Sequence, residues 1–337
     1  MTARIGWLCA TACLVPWLAG AAVAAPPDVK PPTTEDCVAC HGDASLKRDD
    51  GRSLAVDAKR FESSIHGPMA CVDCHADLAK VELPHEPKLA PVQCASCHDD
   101  IGGKYRDSIH AWAKDKAGLT TAAPSCASCH GTHEIKAHTD TTSRVHRSQV
   151  PATCGSCHAG VREHYDKGIH GAALAKGDSR APVCVDCHTT HDIKRADTDK
   201  WRLSVTAECG SCHAGVVDSF RRTFHGKVTE MGFSRVAACA DCHGAHDILP
   251  ASNPASMVAS AQLVKTCGKC HQGANERFVQ YDPHPNPRDY KRSAVLWWAN
   301  RFYWILIPGC FGFFGLHSLL WFWRSRREAR SGRDATP

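Results

Sequence analysis

The pentapeptide Cys-x-x-Cys-His, which occurs nine times between Cys37 and His271, constrains this chain more than any other feature. Two thiols three positions apart, followed by an imidazole, form the arrangement that attaches a c-type haem by two thioether bonds and supplies one axial iron ligand. The motifs use eighteen of the twenty-one cysteines. They are Cys37/Cys40/His41, Cys71/Cys74/His75, Cys94/Cys97/His98, Cys126/Cys129/His130, Cys154/Cys157/His158, Cys184/Cys187/His188, Cys209/Cys212/His213, Cys239/Cys242/His243 and Cys267/Cys270/His271. We therefore expect nine covalently bound haem c groups.

Three other uses of paired cysteines compete with this interpretation: a disulfide framework, zinc sites and thioredoxin-like redox pairs. None of them needs a histidine after every pair. With 22 histidines in 337 residues, a histidine would follow a given pair by chance about once in fifteen times. Its presence after all nine pairs favours haem attachment.

Nine haems in this length of chain also predict the fold class. About 270 residues lie between the two apolar ends, so a haem is attached roughly every thirty residues. The porphyrins must then form most of the interior, and the polypeptide wraps them in short elements. We expect a mainly α protein with extensive irregular loops, a core of stacked haems and one C-terminal transmembrane helix.

The N-terminus has the composition of a secretory signal. Arg4 precedes an apolar run from Ile5 to Val23, and small residues surround the predicted cleavage point after Ala24. Because c-type haem is attached outside the cytoplasmic membrane in bacteria, export agrees with the motifs. We expect residues 1–24 to be removed and residues 25–290 to form a periplasmic nonahaem domain.

A second apolar run, Phe302–Trp323, has 22 residues without a charge, which is long enough to cross a bilayer. Tryptophans flank it, and the arginines of the basic tail, residues 324–337, follow it, which places the tail in the cytoplasm. We expect a single-pass inner-membrane protein. His317 lies within the run, either as a group that meets a quinone or a partner subunit, or as a residue near the inner interface. The net charge of +5 is small, and nothing indicates nucleic-acid binding.

The motifs fall into doubled units of about 55 to 60 residues. Each clear copy has one motif, then eleven residues, a histidine after Ile or Phe, and a second motif that continues x-x-His. The predicted units are residues 37–90, 94–150, 154–208 and 209–266, with a half unit at 267–290.

Recurrence at these positions sorts the thirteen histidines outside the motifs. A first set follows the first motif of a unit, and a second set follows the second motif. Nine haems need nine distal ligands for bis-histidine coordination, and the two sets hold nine histidines. The first set is His66, His110, His170, His225 and His284, and the second set is His85, His133, His191 and His246. His138, His146, His164 and His317 remain outside both sets.

Geometry predicts that these histidines serve neighbouring irons. A histidine three positions after the motif histidine would lie on the same helix face and would not reach the opposite side of its own haem. If the eleven-residue spacer is helical, its two histidines lie about 18 Å apart, which is long for one haem. We expect ligands to be shared between neighbouring haems.

The pattern resembles the multihaem cytochromes c with doubled Cys-x-x-Cys-His units, the group that contains cytochrome c3-like and c7-like proteins. The likeness rests on the motifs, the Ile-His-Gly histidines and the His-Asp-Ile segments, such as His191-Asp192-Ile193. The C-terminal Tyr281-Asp-Pro-His-Pro-Asn-Pro segment and Gly315-Leu-His-Ser-Leu-Leu-Trp are similar to the end of membrane-anchored members. The resemblance implies exchange of electrons with the quinone pool, through a separate membrane cytochrome b or other quinol-oxidising subunit.

Electron transfer to a periplasmic redox partner, without enzyme activity, is the first functional hypothesis. Bis-histidine iron has no open position for a substrate, and Met69, Met231 and Met257 do not recur with the unit. A reductase of nitrite, hydroxylamine or a sulfur oxyanion is the second hypothesis. It needs one open haem, which would exist if His85 or His284 is not a ligand. A periplasmic electron store is the third hypothesis.

Overall fold

The computed structural model describes residues 30–331, so the predicted signal peptide and the last six residues of the predicted tail lie outside the described residues. Within that range the chain forms sixteen α-helices and four short 3-10 helices. Its only extended pairing there is an isolated bridge between Lys47 and Ser53. The prediction of a mainly α fold with extensive loops is confirmed.

The described chain divides into two units. The first contains the residues up to Val56 together with Met69–Val92. Its helices are α1 (Thr34–His41) and α3 (Cys71–Cys74), followed by a 3-10 turn at Ala76–Leu78.

Thr33 begins α1 as its N-cap. Its hydroxyl accepts from the amide of Asp36, whose carboxylate accepts from the amide of Thr33, so two otherwise unsatisfied helix-end donors are bonded. His41 ends the helix, and its Nδ1 lies 2.9 Å from the carbonyl oxygen of Leu54. The cap therefore places the last motif residue at the helix end, where the segment that contains Leu54 orients its ring.

The second unit contains Asp57–Pro68 and the chain from Gln93 onward. Its α-helices are α2 (Ala58–Glu62), α4 (Asp99–Arg106), α5 (Ile109–Asp115), α6 (Cys126–His130), α7 (Val150–Gly155), α8 (Ala159–Lys167), α9 (Ile169–Ala175), α10 (Cys184–His188), α11 (Asp199–Cys212), α12 (Ala214–Arg221), α13 (Phe224–Glu230), α14 (Cys239–His243), α15 (Leu263–Gly268) and α16 (Ala294–Ser331). Three 3-10 turns, Cys94–Ser96, Ser260–Gln262 and Phe278–Gln280, complete the helical elements.

The repeat has a structural counterpart in three helices per copy. One helix follows the first motif, a second carries the distal histidine, and the second motif forms the third; the three sets are α4–α5–α6, α8–α9–α10 and α12–α13–α14. New caps separate the first two helices, since Ser108 accepts from the amide of Ala111 and Thr223 accepts from the amide of Gly226. The eleven-residue spacer is therefore two helices rather than one.

The helices of the second motifs end at their motif histidines. The next residue has a positive φ in three copies: Gly131 at 85°, Thr189 at 63° and Gly244 at 81°. Because the left-handed conformation stops a right-handed helix, the His-x-x-His segment leaves the helix at this point. The expectation that both histidines share one helix face is therefore wrong. The change in chain direction after the motif histidine still places the two histidines apart.

The protein part of the core is thin. Its most buried apolar residues are small, with Ala111 at 1% and Val183 at 2% exposed, and the buried aromatic side chains are Tyr165 and Phe220. No large side chain in residues 30–331 is completely buried. A chain of this size needs more buried apolar area than these residues supply. This composition agrees with an interior built around cofactors.

Helix α16 is the one candidate membrane span among the described residues. It runs for 38 residues, and its most apolar window has a mean hydropathy of 1.7 and no buried residue. The predicted span at residues 302–323 lies inside it, and the helix continues for eight residues at each end. Arg324 and Glu328 pair at 2.8 Å across one turn, which supports the helix beyond the apolar run. The helix is consistent with a single-pass anchor.

Candidate haem sites

Eight pairs of histidine rings recur through the described chain. In every pair, one member belongs to a Cys-x-x-Cys-His motif and the other is a predicted distal ligand. Their centroids are 5.9 to 6.3 Å apart. The pairs are His41 with His85, His98 with His66, His158 with His110, His130 with His191, His213 with His170, His188 with His246, His271 with His225, and His243 with His284. His75 and His133, the other members of the predicted ligand set, also have interaction partners.

The spacing of the pairs fits one metal ion between the two rings. A metal–imidazole bond is about 2.0 to 2.1 Å long, and the ring nitrogen lies about 1.1 Å from the centroid, so two ligands on opposite sides of an ion have centroids about 6.3 Å apart. The measured distances fall at or just below this value. The eight centroid distances therefore fit two imidazoles on opposite sides of one metal ion.

The two histidines with atypical spacing belong to these pairs. His85 lies 6.1 Å from His41, with ring planes 9° apart. His284 lies 6.1 Å from His243, its Nδ1 is 3.2 Å from the hydroxyl of Ser219, and its amide donates to Asp282. Both rings thus lie at the same distance from a motif imidazole as the rings of the other pairs.

The pairs follow a direction rule that repeat spacing alone does not reveal. Four members of the first set, His66, His110, His170 and His225, pair with the first motif of the following unit. The fifth member, His284, pairs instead with His243, in the second motif of the preceding unit. In the second set, His191 and His246 pair with the second motif of the preceding unit, at His130 and His188. At the junction between two such repeat units, each unit therefore places one histidine beside a motif histidine of the other.

Backbone hydrogen bonds join the same segments at each junction. The amide of Ile109, beside His110, donates to the carbonyl of Ile193, two residues after His191, at 2.8 Å. The equivalent bonds from Ile65 to Ile135 and from Ile169 to Ile248 are 2.9 and 2.7 Å long. These contacts explain why the Ile-His and His-Asp-Ile sequences recur together.

The middle copy needs a glycine for this close approach. A Cβ at Gly168 would lie 2.8 Å from the carbonyl oxygen of His246 and 3.3 Å from the amide nitrogen of Ile248. Both atoms are backbone and belong to the segment that delivers His246. The lack of a side chain at residue 168 thus lets the distal-ligand segments of two units meet.

The motif cysteines place consecutive motifs next to each other. The hydrogen bond with Cys184, together with burial, raises the pKa of the Cys154 thiol, and Cys239 has the same effect on Cys209. In the first unit, burial and the neighbouring Cys71 raise the pKa of Cys37 to about 11.

Several motif thiols are exposed, among them the second cysteine of every first motif. In the motif that begins at Cys154, the first thiol is half-buried beside Cys184, whereas the second thiol, Cys157, is exposed. The exposed second cysteines are Cys40, Cys97, Cys157, Cys212 and Cys270, and Cys74, Cys94 and Cys126 are exposed as well.

The contacts around Cys40, Cys97 and Cys157 are local. The hydroxyl of the preceding serine lies 3.9 Å from Sγ of Cys97 and 4.0 Å from Sγ of Cys157, and the carbonyl of Cys40 accepts from the amide of Asp43 at 3.2 Å. A thioether bond requires a thiol that the edge of the porphyrin can reach, so exposure agrees with attachment. The assignment of these three cysteines to haem attachment stays a prediction.

Further neighbours extend the series from Cys94 to Cys270. His130 is close enough to His98 for the two side chains to interact electrostatically. Three second cysteines also interact with a cysteine of the next motif: Cys129, Cys187 and Cys242. The seven motifs from Cys94 to His271 therefore follow one another in space in their order along the chain. Cofactors attached there would be neighbours.

Burial keeps many of the paired imidazoles neutral. Desolvation lowers the pKa of the side chains of His110, His130, His170, His188, His225, His243, His246 and His284. A neutral imidazole has the free lone pair that a metal needs, whereas an imidazolium has none. The local environment therefore favours the ligating form.

Ion pairs hold the second motifs of two units. Asp186 accepts from the amide of Val183 at 2.6 Å and binds Arg147 at 2.8 Å. Asp241 accepts from the amide of Ala238 at 2.8 Å and binds Arg202 at 2.9 Å. Each aspartate is the residue before the second cysteine of its motif, so it caps the motif helix and ties it to the segment before a unit's first motif.

Histidines outside both sets have other surroundings. His164 faces the carboxylate of Asp247 at 3.5 Å, and Nδ1 of His146 lies 2.8 Å from the hydroxyl of Ser148. Among the described residues, no cluster of three or more histidine, cysteine or acidic side chains forms a separate metal site.

Two known proteins resemble the chain. It is 23% identical over 324 residues to the high-molecular-weight cytochrome c of Nitratidesulfovibrio vulgaris, covering 83% of this chain and 53% of that protein. It is 24% identical over 138 residues to the cytochrome c-type protein NrfB of Escherichia coli O6:H1, covering 39% of this chain and 71% of that protein. The chain thus spans about half the length of the first relative. No protein-family profile matches it, and no solved structure matches it.

These distant relatives are multihaem cytochromes c, and they support a place for this chain in that class. Together with the cysteine content and the helical fold, they also support covalent attachment of haem c.

Proposed function

We propose that the chain is a membrane-anchored, periplasmic nonahaem cytochrome c that carries electrons between the quinone pool and a periplasmic redox partner. One observation carries this proposal: each of the eight histidine pairs joins a motif imidazole to an imidazole from elsewhere in the chain. When both axial positions of an iron are filled, no position remains for a substrate, and the site is suited to electron transfer.

The residues of this chain attach and orient the haems. The eighteen motif cysteines provide the thioether bonds, and the nine motif histidines provide the proximal ligands. His66, His85, His110, His133, His170, His191, His225, His246 and His284 provide the distal ligands. The haems themselves supply reversible one-electron chemistry. The protein positions them, limits the access of water and holds the imidazoles neutral.

The order of the motifs supports a linear path. From Cys94 to Cys270, each motif lies beside the next, so haems attached there would be neighbours and would allow transfer between adjacent sites. Exchange of histidines at each junction keeps those sites in a fixed relation. This arrangement favours a conductor over a set of independent centres.

The end of the path that meets the quinone pool is the one next to the membrane helix in sequence. Arg292 lies two residues before α16 and holds Asp282 through two hydrogen bonds of 2.7 Å. Asp282 in turn binds the amide of His284, the partner of His243. A polar cleft of about 200 Å³ lies beside this loop, with Ser219 among its lining residues. We propose that a membrane cytochrome b, or another quinol-oxidising subunit, delivers electrons here.

A reductase is less well supported. That hypothesis depended on an open iron at the site of His85 or His284, and both imidazoles lie opposite a motif histidine. A periplasmic electron store needs neither the membrane helix nor a linear order of sites, so these two features favour a carrier.

Electron paramagnetic resonance of the purified, fully oxidised protein tests the proposal. We expect low-spin ferric signals that account for all the haem, unchanged after addition of nitrite or cyanide. A high-spin ferric signal that responds to either anion would instead establish an open site and favour the reductase.

A further inference from the structure

Trp201 stacks on the motif imidazole of His188. The two ring centroids are 4.9 Å apart and the planes differ by 8°, which is direct offset stacking. On the same imidazole, the pair with His246 has a centroid distance of 6.0 Å and a plane angle of 15°. His188 therefore has a distal imidazole opposite its ring edge and an indole against its ring face.

The position of the indole is fixed by the beginning of α11. Thr198 caps the helix and accepts from the amide of Trp201 at 3.2 Å. The next residue, Arg202, donates to the carbonyl of Ser234 at 3.0 Å and to Asp241 at 2.9 Å. Trp201 is half-buried. Because both sides of the residue are anchored, the indole keeps its place when the imidazole ring turns.

Only one copy of the repeat has an indole at this position. Trp201 lies eight residues before Cys209, and the residues eight positions before Cys154 and Cys267 are His146 and Ala259. The alignment of the copies is independently supported, because Arg147 and Arg202 make equivalent ion pairs. The fold itself therefore accepts other residues here, and the tryptophan acts on one site.

The ring planes of the histidine pairs differ widely. Those of His188 and His246 are 15° apart, whereas those of His98 and His66 are 58° apart. An imidazole can turn about a single bond to a metal, so its plane is set by the groups that touch it. The angle between two axial imidazole planes controls the rhombicity of low-spin ferric haem and hence its paramagnetic resonance signal.

We propose that Trp201 is a positioning residue that holds the plane of His188 nearly parallel to that of His246. The proposal rests on the proposed coordination of a haem by these two histidines. It gives this haem a rhombic low-spin signature and a less hydrated proximal side, both of which are lost when the stacked ring is removed.

The test compares paramagnetic resonance spectra of the full-length haem-loaded protein. In Trp201→Leu we expect one ninth of the low-spin intensity to move toward a larger maximum g-value, with no loss of bound haem and no high-spin signal. Trp201→Phe, which retains a stacking ring, should keep most of the original signal. Trp298→Leu is the matched control, because Trp298 contacts Trp297 at the start of α16.

An unchanged spectrum in Trp201→Leu overturns the proposal, as does an equal change in the control. If Trp201→Leu fails to retain its haem, Trp201→Ala, which places the residue found at position 259, takes its role with the same expected shift. Failure of the underlying haem coordination is distinguishable, because the unsubstituted protein would then lack bis-histidine low-spin signals altogether.

Discussion

Replacing His246 with alanine should open one iron without dismantling the site around it. The imidazole lies 6.0 Å from that of His188, but its backbone is held separately, because the carbonyl of Ile248 accepts from the amide of Ile169 at 2.7 Å. Removal of the side chain therefore leaves the junction in place. We expect His246→Ala to bind as much haem as the original protein, with the iron at His188 lacking its distal ligand.

The size of the effect follows from the number of sites. One open iron among the proposed nine corresponds to one ninth, about 11%, of the ferric haem in the high-spin state. Added imidazole should reverse the change by occupying the open position. Cyanide should bind to the variant in the same proportion, whereas the original protein should bind none.

His164→Ala is the matched control for this experiment. His164 lies close to the same segment and faces Asp247 at 3.5 Å, but it belongs to neither set of predicted ligands. Its removal should leave the low-spin spectrum unchanged. The reasoning is refuted if His246→Ala shows no high-spin iron, or if both variants show the same amount.

Three further predictions concern stability and can be measured by thermal unfolding of the haem-loaded protein. Gly168→Ala should lower the free energy of unfolding by about 1 to 3 kcal/mol, because its Cβ meets the backbone of the next unit. Gly160→Ala is the control and should leave the free energy of unfolding unchanged, because no atom lies near its Cβ. Equal losses in the two variants would contradict this account. Asp241→Asn should lower the free energy of unfolding by about 1 kcal/mol, because it weakens the bond to Arg202. An unchanged free energy of unfolding would show that this ion pair is dispensable. Ligation of a metal requires the neutral imidazole of His170, and burial also lowers its pKa. The unfolded chain therefore binds more protons than the folded chain below the ordinary pKa of 6.5. The melting temperature should fall from pH 7 to pH 5 and change little from pH 7 to pH 8, and the opposite trend would refute the assignment of neutral imidazoles.

Much of the fold was predictable because the motifs impose it. A haem attachment about every thirty residues leaves little room for a conventional apolar core, and the short helices and small buried side chains agree with that expectation. The apolar run at residues 302–323 likewise predicted a helix that is present. Its extension to Ser331 depends on charged side chains such as Arg324 and Glu328, which hydropathy does not detect.

The exposure of the motif cysteines was not predictable in the same way. The motif is identical in every copy, so it does not distinguish Cys154, which packs against Cys184, from Cys157, which is exposed. Cys40 is exposed and Cys37 is half-buried, whereas Cys94 and Cys97 are both exposed. Burial of a thiol is a property of the fold around the motif rather than of the motif itself.

The composition of the two histidine sets came from recurrence, but their direction did not. The spacing between His158 and His170 is the same whether His170 serves the preceding or the following unit. The fold shows the direction, because the ring of His170 lies 6.3 Å from that of His213 in the following unit. The positive φ at Thr189 likewise turns the chain out of the motif helix before His191. Thr189 carries little signal in sequence, because a non-glycine residue rarely adopts that conformation.

Trp201 was overlooked for a related reason. An aromatic residue eight positions before a motif occurs in one copy of the repeat, so recurrence does not select it. Its contact with His188 arises from the packing of α11 against the preceding motif helix. Features shared by all copies were accessible to sequence reasoning, whereas a feature that distinguishes one site required the fold.

The central claim is that this chain holds nine bis-histidine haems and therefore conducts electrons rather than binding a substrate. Near-infrared magnetic circular dichroism of the oxidised protein, scaled to haem content per chain, tests it most directly. The account predicts nine haems per chain, with all the low-spin intensity at the position typical of two imidazole ligands. Fewer than nine haems, a band typical of histidine and methionine ligation, or a high-spin fraction in the unsubstituted protein would contradict it.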